Sequence, residues 1–260
     1  MLDRPLDLKA ARILVTNDDG IHAPGLEALE RIARGLSKDV WVVAPETEQS
    51  ATSHSLTLRR PLRTRQLGRR RYSIDGTPTD CVLLAHHHIL KDLPPDLVLS
   101  GVNHGGNLGE DVTYSGTVAA AMEAAILGVR AVAFSQMRHE DQRIPFDTAE
   151  HYAPRILRAL AEVPWRRDLL VNVNFPPVDP DDVTGIRPCR QGRRDEGTTV
   201  FEGVDPSGRP YVWIGNFLSD TSSDHETDLA VVMEGAVSVT PLHLDLTHRG
   251  TLKALQEAFA

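Results

Sequence analysis

The apolar run Ile13-Leu14-Val15 leads through Thr16 into Asn17-Asp18-Asp19-Gly20. Adjacent carboxylates at the mouth of a strand repel each other. In open water this matters little, but in a cleft the pair needs a proton or a cation. A hard divalent ion with oxygen ligands is the natural partner. Asn, Asp and Gly also make ordinary strand-to-helix turns, so the pair has to be weighed with the rest of the chain.

Two further segments supply oxygen donors. Pro45 to Ser55 contains Ser50, Ser53 and His54. Ser100 to Gly109 carries Asn103 and Asn107 among four glycines, then leads through Tyr114-Ser115-Gly116-Thr117 into an alanine-rich apolar stretch. The Cys or paired-His spacing of a zinc site is missing from these segments, so oxygen ligation by magnesium, manganese or calcium is expected. Glycines let backbone N–H groups approach an anion. A helix starting at Ser115-Gly116-Thr117 adds hydroxyls and the positive end of a dipole. A divalent cation beside a phosphate cradle implies phosphoryl chemistry. The dinucleotide fingerprint is absent, since Gly20 is followed by Ile21-His22-Ala23-Pro24-Gly25, and no Walker lysine follows a glycine loop. Nicotinamide and ATP cofactors are therefore disfavoured.

Alternating strands and helices must position these loops. Strands are expected at 13–16, 40–44, 96–100 and 129–135. Pro24 to Leu36 is a helix with Leu26, Leu29, Ile32, Ala33 and Leu36 on one side. Thr77-Pro78-Thr79-Asp80 reads as a capped helix start running to about Leu90. Thr117 to Leu127 is a buried helix. Continuous apolar strands between helices predict an α/β fold, a three-layer Rossmann-like and mostly parallel sheet. Ligands of such sheets bind beyond the carboxyl ends of the strands, where the three oxygen-rich loops fall. Ser55–Leu67 reads as edge strands or a hairpin, Thr148–Glu162 as a helix and Leu169–Asn174 as a strand. Pro176 to Asp224, with Tyr211–Ile214 as a short strand, reads as a β-rich extension off the main sheet. Ala236–Thr240 is a late strand and Leu252–Phe259 a terminal helix. The expected division is 1–175 with 228–260 as the catalytic core and 176–227 as an extension that serves oligomerisation.

Bulk properties set bounds. The 260 residues have a formal net charge of −8 and 25% charged residues. An acidic chain is a poor partner for a nucleic-acid polymer, although a bound metal can reverse the local field for a small anionic substrate. Cys81 and Cys189 suggest no disulfide framework. Met1 to Arg12 lacks the apolar segment of a secretory signal, and no apolar run is long enough to span a membrane. A cytoplasmic protein is expected. His86-His87-His88 points in several directions on a helix and cannot hold one ion. His22, His54 and His104 lie in the active loops, as loop hydrogen-bonders or as a general acid. Cys81 reads as a buried small hydrophobe. Trp213 and Tyr211 suit either base stacking or interface packing.

Several separated blocks then resemble the SurE family of metal-dependent nucleoside monophosphate phosphatases. They are Asn17 to Gly25, Val43-Ala44-Pro45 with Gln49-Ser50-Ala51, Ser55 to Leu58, Gly76 to Val82, Ser100 to Gly109, Tyr114 to Glu123, and Thr240-Pro241-Leu242 with Asp245. The resemblance implies one divalent ion per subunit, Mg2+ or Mn2+, held by Asp18, Asp19, Ser50 and Asn103. It implies phosphate contacts from Asn107, Ser115, Gly116 and Thr117, next to Asn17. It also implies a homodimer or homotetramer with exchanged C-terminal elements. The segment 190–225 matches poorly. The expected activity is hydrolysis of nucleoside 5′- and 3′-monophosphates, with Asp18 or Asp19 taking the proton of an attacking water or, alternatively, attacking phosphorus itself. Competing readings are a broad phosphatase with exopolyphosphatase activity and a non-catalytic nucleotide or metal sensor.

Overall fold

The structure, a computed structural model, describes residues 4–139, 144, 146–193, 198–217 and 225–260. Along the chain run β1 (Arg12–Thr16), α1 (Pro24–Arg34), β2 (Asp39–Pro45), β3 (Thr64–Gly68), β4 (Arg71–Ile74), α2 (Pro78–Leu84), β5 (Leu97–His104), α3 (Gly116–Ile126), β6 (Arg130–Gln136), α4 (Phe146–Glu162) and β7 (Leu169–Phe175). They are followed by β8 (Gly185–Pro188), β9 (Thr198–Val204), β10 (Pro210–Phe217), α5 (Asp228–Met233), β11 (Ala236–His243) and α6 (Arg249–Ala258).

Among the described residues the main sheet has nine strands in the order β3-β4-β2-β1-β5-β6-β7-β11-β8. From β4 to β7 every pairing is parallel, while β3 and β11 run antiparallel to their neighbours β4 and β7. Side chains alternate across each strand. Ile13 and Val15 of β1 pack on one face with α1 and α4, while Leu14 packs on the other with α2 and α3. Both faces are covered, which is why these strands carry unbroken apolar runs. The chain reverses direction of travel across the sheet between β1 and β5, so the crevice above this pair is the topological switch point.

Several element boundaries differ from expectation. The helix capped by Thr77 has its capping box, with Thr77 Oγ1 accepting from Asp80 N and the Asp80 carboxylate accepting from Thr77 N. Its α-helical part ends at Leu84, and a wider π turn, Ala85–Ile89, carries His86, His87 and His88. The hairpin is β3–β4, and 55–63 crosses the surface without regular structure. Strand β5 continues past Ser100 to His104, with an irregularity between Ser100 and Asn103. Gly101 makes this possible. Its φ is +126°, and a Cβ there would lie 2.2 Å from Phe134 O.

The extension is also corrected. Gly185–Pro188, expected off the main sheet, is its last strand, parallel to β11. A four-residue edge strand whose one apolar side chain is Ile186 leaves no periodic signal. Strands β9 and β10 do stand apart, pairing with each other. Residues 194–197 and 218–224 of the expected extension lie outside the described residues. The six-residue α5 was not foreseen. No helix of the described residues is long and apolar enough to cross a membrane.

Candidate functional site

Strand β1 ends inside the protein, so Asn17 and Asp18 are buried. Helix α3 comes down on them from the other side of the switch point. Ser115 is its N-cap and accepts from Val118 N at 3.1 Å. Gly116 lies against Asp18 so closely that a Cβ would meet the Asp18 Cβ at 2.8 Å. Any other residue would push the helix start off the carboxylate. The fully buried Thr117 hydroxyl donates to Asp18 Oδ1. Burial pushes the Asp18 carboxyl up to about 6 from its ordinary 3.8, the Thr117 bond pulls it down, and the neighbouring Asp19 charge raises it.

Asp19 faces the end of β5, where His104 Nδ1 lies against its Oδ1. That contact raises the His104 imidazole above its ordinary value, against the effect of burial. Glu48 completes a cluster with them, the three offering ligand atoms within 4.8 Å of one another. Ser50 Oγ donates to Glu48 Oε1 at 2.7 Å. The loop after β2 is tied to the acidic pair by Gln49 N, which donates to Asp18 O at 2.7 Å.

A cavity of about 630 Å³ is lined by Asp18, Ser50, Asn103, Asn107, Ser115 and Tyr114, among others, while Asp19 and Glu48 are not among its lining residues. Three expected metal-site residues, Asp18, Ser50 and Asn103, thus face one space. Asn103 Nδ2 donates to Gly105 O at 2.9 Å. Two residues expected at a phosphate have side chains turned inward instead. Asn17 Nδ2 donates to Gly20 O at 3.0 Å, which builds the turn. Thr117 holds Asp18. Asn107 lines the cavity, but its Nδ2 donates to Ser135 Oγ at 2.7 Å. Its backbone is gripped from β7, with Asn107 N donating to Asn174 Oδ1 at 2.7 Å and Asn172 Nδ2 donating to Asn107 O at 2.8 Å.

Sequence reasoning missed Glu48, Ser135, Asn172, Asn174 and Asp228. A signal existed for the β7 pair, because asparagines alternating with valines in an otherwise apolar strand put two amides on one face. Asp228 is fully buried. It accepts from Gly109 N at 3.0 Å and Gly192 N at 2.7 Å, bracing the glycine loop from the far side. Burial raises its carboxyl, and these N–H bonds hold it down. His54 Nε2 meets the buried Glu123 Oε2 at 2.9 Å, which assigns it a bracing contact. Cys81 is fully buried, as expected, and burial drives its thiol well up. Trp213 and Tyr211 are exposed on β10 and are not among the cavity's lining residues.

The donor set around Asp18 and Asp19 is rich in hard oxygens, from the two aspartates, Glu48 and Ser50. These residues fit a hard divalent ion. Fold and site define a class, the doubly wound α/β proteins that take phosphorylated ligands beyond the carboxyl ends of parallel strands. Residues 13–198 match the model of a family described as Survival protein SurE. The chain is 58% identical to a 5′-nucleotidase SurE of Paramagnetospirillum magneticum over 97% of each chain. It is 53% identical to one of Parvibaculum lavamentivorans, covering 96% of this chain and 91% of that one. A crystal structure of the Sure protein from Aquifex aeolicus superimposes with a TM-score of 0.83 at 41% identity, covering 95% of this chain and 99% of that chain. The chain belongs to the SurE family.

Proposed function

We propose that this chain is a 5′-nucleotidase that hydrolyses nucleoside 5′- and 3′-monophosphates to nucleoside and phosphate with one bound divalent ion, Mg2+ or Mn2+. The observation that carries this reading is the shared cavity. Asp18, Ser50 and Asn103 face it together with the capped start of α3. The similarity to named 5′-nucleotidases over nearly the whole chain supports it.

Asp18, Asp19, Ser50 and Asn103 would hold the ion, with Glu48 and His104 next to them. When bound, such an ion neutralises phosphate charge and makes a water more acidic. The protein's own groups do the rest. The first-turn N–H groups of Gly116 and Thr117 have no acceptor within the helix, and as preorganised donors at the helix start capped by the cavity-lining Ser115 they would hold the phosphate. Asn107 is clamped from β7, so the backbone around it does not have to reorganise. Asp18 or Asp19 accepts the proton of the attacking water.

Phosphate release from 5′-AMP, 3′-AMP, 5′-GMP and a generic aryl phosphate, with Mn2+ and with excess EDTA, tests the reading. Metal-dependent release from the nucleotides is the expected result. Undiminished release in EDTA would refute the metal, and release from the aryl phosphate alone would refute the nucleotide. No release under any condition would leave a sensor.

A further inference from the structure

We propose that Tyr114 is the platform on which the nucleobase of a bound nucleoside monophosphate stacks. This inference rests on the nucleotidase reading above and adds a base-recognition residue to it. Asp18, Asn103, Asn107 and Ser115 supply oxygen and nitrogen to the cavity wall. Two of the lining residues carry rings, Tyr114 and His104, and the His104 imidazole is engaged by Asp19, which leaves Tyr114 as the candidate platform. Its residue surface is 52% exposed.

The backbone beneath that ring is fixed. Tyr114 N donates to Asp111 O at 3.0 Å, and Tyr114 O accepts from Ser53 N at 3.1 Å. Ser53 Oγ donates to the preceding carbonyl, Thr113 O, at 2.7 Å. The Ser53 backbone, with φ of +54°, is held in the left-handed region to make these bonds. A large ring kept in the open on a clamped backbone is not there to fill a core. A ring that lines the cavity from such a backbone can offer its face to a base at low entropic cost, as binding sites use tyrosine.

Position and size agree with a nucleotide. The residue after Tyr114 is the N-cap of α3, where the phosphate would sit, and both residues line the same cavity. A cavity of about 630 Å³ is far larger than a phosphate ion needs. The lining also includes Met137 and Arg138, an apolar and a cationic side chain that both suit a base edge. The exposed aromatics of β10 do not line this space.

The test compares AMP with ribose 5-phosphate, which lacks the base. In Tyr114→Ala, kcat/KM for AMP is expected to fall about tenfold, the range of a lost base–aromatic stack. The Ki of ribose 5-phosphate, measured as a competitor of AMP, is expected to move less than about twofold, since it makes no such stack. Tyr114→Leu keeps apolar bulk without a π face and is expected to show the same selective loss, whereas Tyr114→Phe and Tyr114→Trp are expected to retain AMP turnover. Equal weakening of AMP and ribose 5-phosphate in both truncating variants, or no change for AMP, would overturn the proposal. Wild-type protein that releases no phosphate from AMP would instead overturn the nucleotidase reading, and this inference with it.

Discussion

Asp18 is a carboxylate that the fold buries before any cation is supplied, and its ionisation opposes folding. Its carboxyl stands at about 6 in the folded protein against 3.8 as the ordinary value. A raised folded value means that the protonated form is favoured. The stabilising contribution is therefore complete below about pH 4 and is lost as pH rises through about 6. Metal-free protein is expected to lose about 3 kcal/mol of stability over that interval from this group. Asp18→Asn should lack that slope in urea melts at pH 4.5, 6 and 7.5 with EDTA, and should also lack metal-dependent turnover. Manganese added to wild type at pH 7.5 should restore the stability by mass action. A wild-type curve flat across that range would contradict the account. Thr117 works on the same group. Its hydroxyl bond lowers the Asp18 carboxyl, so Thr117→Val is expected to move the acidic limb of the kcat/KM profile to higher pH. At neutral pH the loss of a charge-assisted hydrogen bond is worth about 1.5–3 kcal/mol. An unmoved limb would mean that Thr117 serves packing alone.

At the scale of elements, the parts written in unbroken apolar runs or cap chemistry were legible. Strands β1, β2, β5, β6 and β7 follow from their apolar runs, and α3 follows from Ser115 as its cap. What the sequence hid has a physical reason in each case. The reach of β5 to His104 depends on Gly101 meeting Phe134 O, a tertiary contact. Strand β8 is four residues whose partner strand β11 lies about 50 positions on. A hydroxyl at a helix start such as Thr117 suits an anion contact, but only the fold shows that Asp18 takes that hydroxyl. Asp228 was invisible for the same reason. It joins the glycine loop, the segment at Gly192 and α5 through buried N–H donors. Asp228→Ala would leave these donors unpaired and is expected to cost about 3 kcal/mol or more. Asp228→Asn keeps one acceptor oxygen and should cost less. Because the strut braces Gly109, the alanine variant should also show faster amide exchange at 107–109 than in the rest of the β5–α3 connection. Uniform exchange across that connection would assign Asp228 to the stability of α5 alone.

The described chain, taken as a whole, carries more exposed apolar surface than a solitary molecule needs. On the β9–β10 hairpin, Phe201 is 59%, Trp213 67% and Ile214 75% exposed, and these strands pair with no others. Helix α6 repeats the pattern. Leu252, Leu255 and Phe259 fall three and four residues apart, on one side of the helix, and all are exposed. Exposed apolar side chains grouped in this way are what an interface between copies would cover. Two separate apolar surfaces on one chain accommodate a dimer through one and a tetramer through both, with identical patches meeting across a two-fold axis. We therefore expect the protein to sediment as a homodimer or homotetramer. A charge placed in each surface separates their roles. Trp213→Asp should convert tetramer to dimer, or dimer to monomer, if the hairpin is an interface, while Leu255→Asp tests α6 in the same way. Neither position lines the cavity, so a variant that dissociates while keeping its metal-dependent turnover would show that assembly stabilises the fold without completing the site. A wild-type protein sedimenting as a monomer at micromolar concentration would remove the oligomer, and the two apolar surfaces would then need another partner.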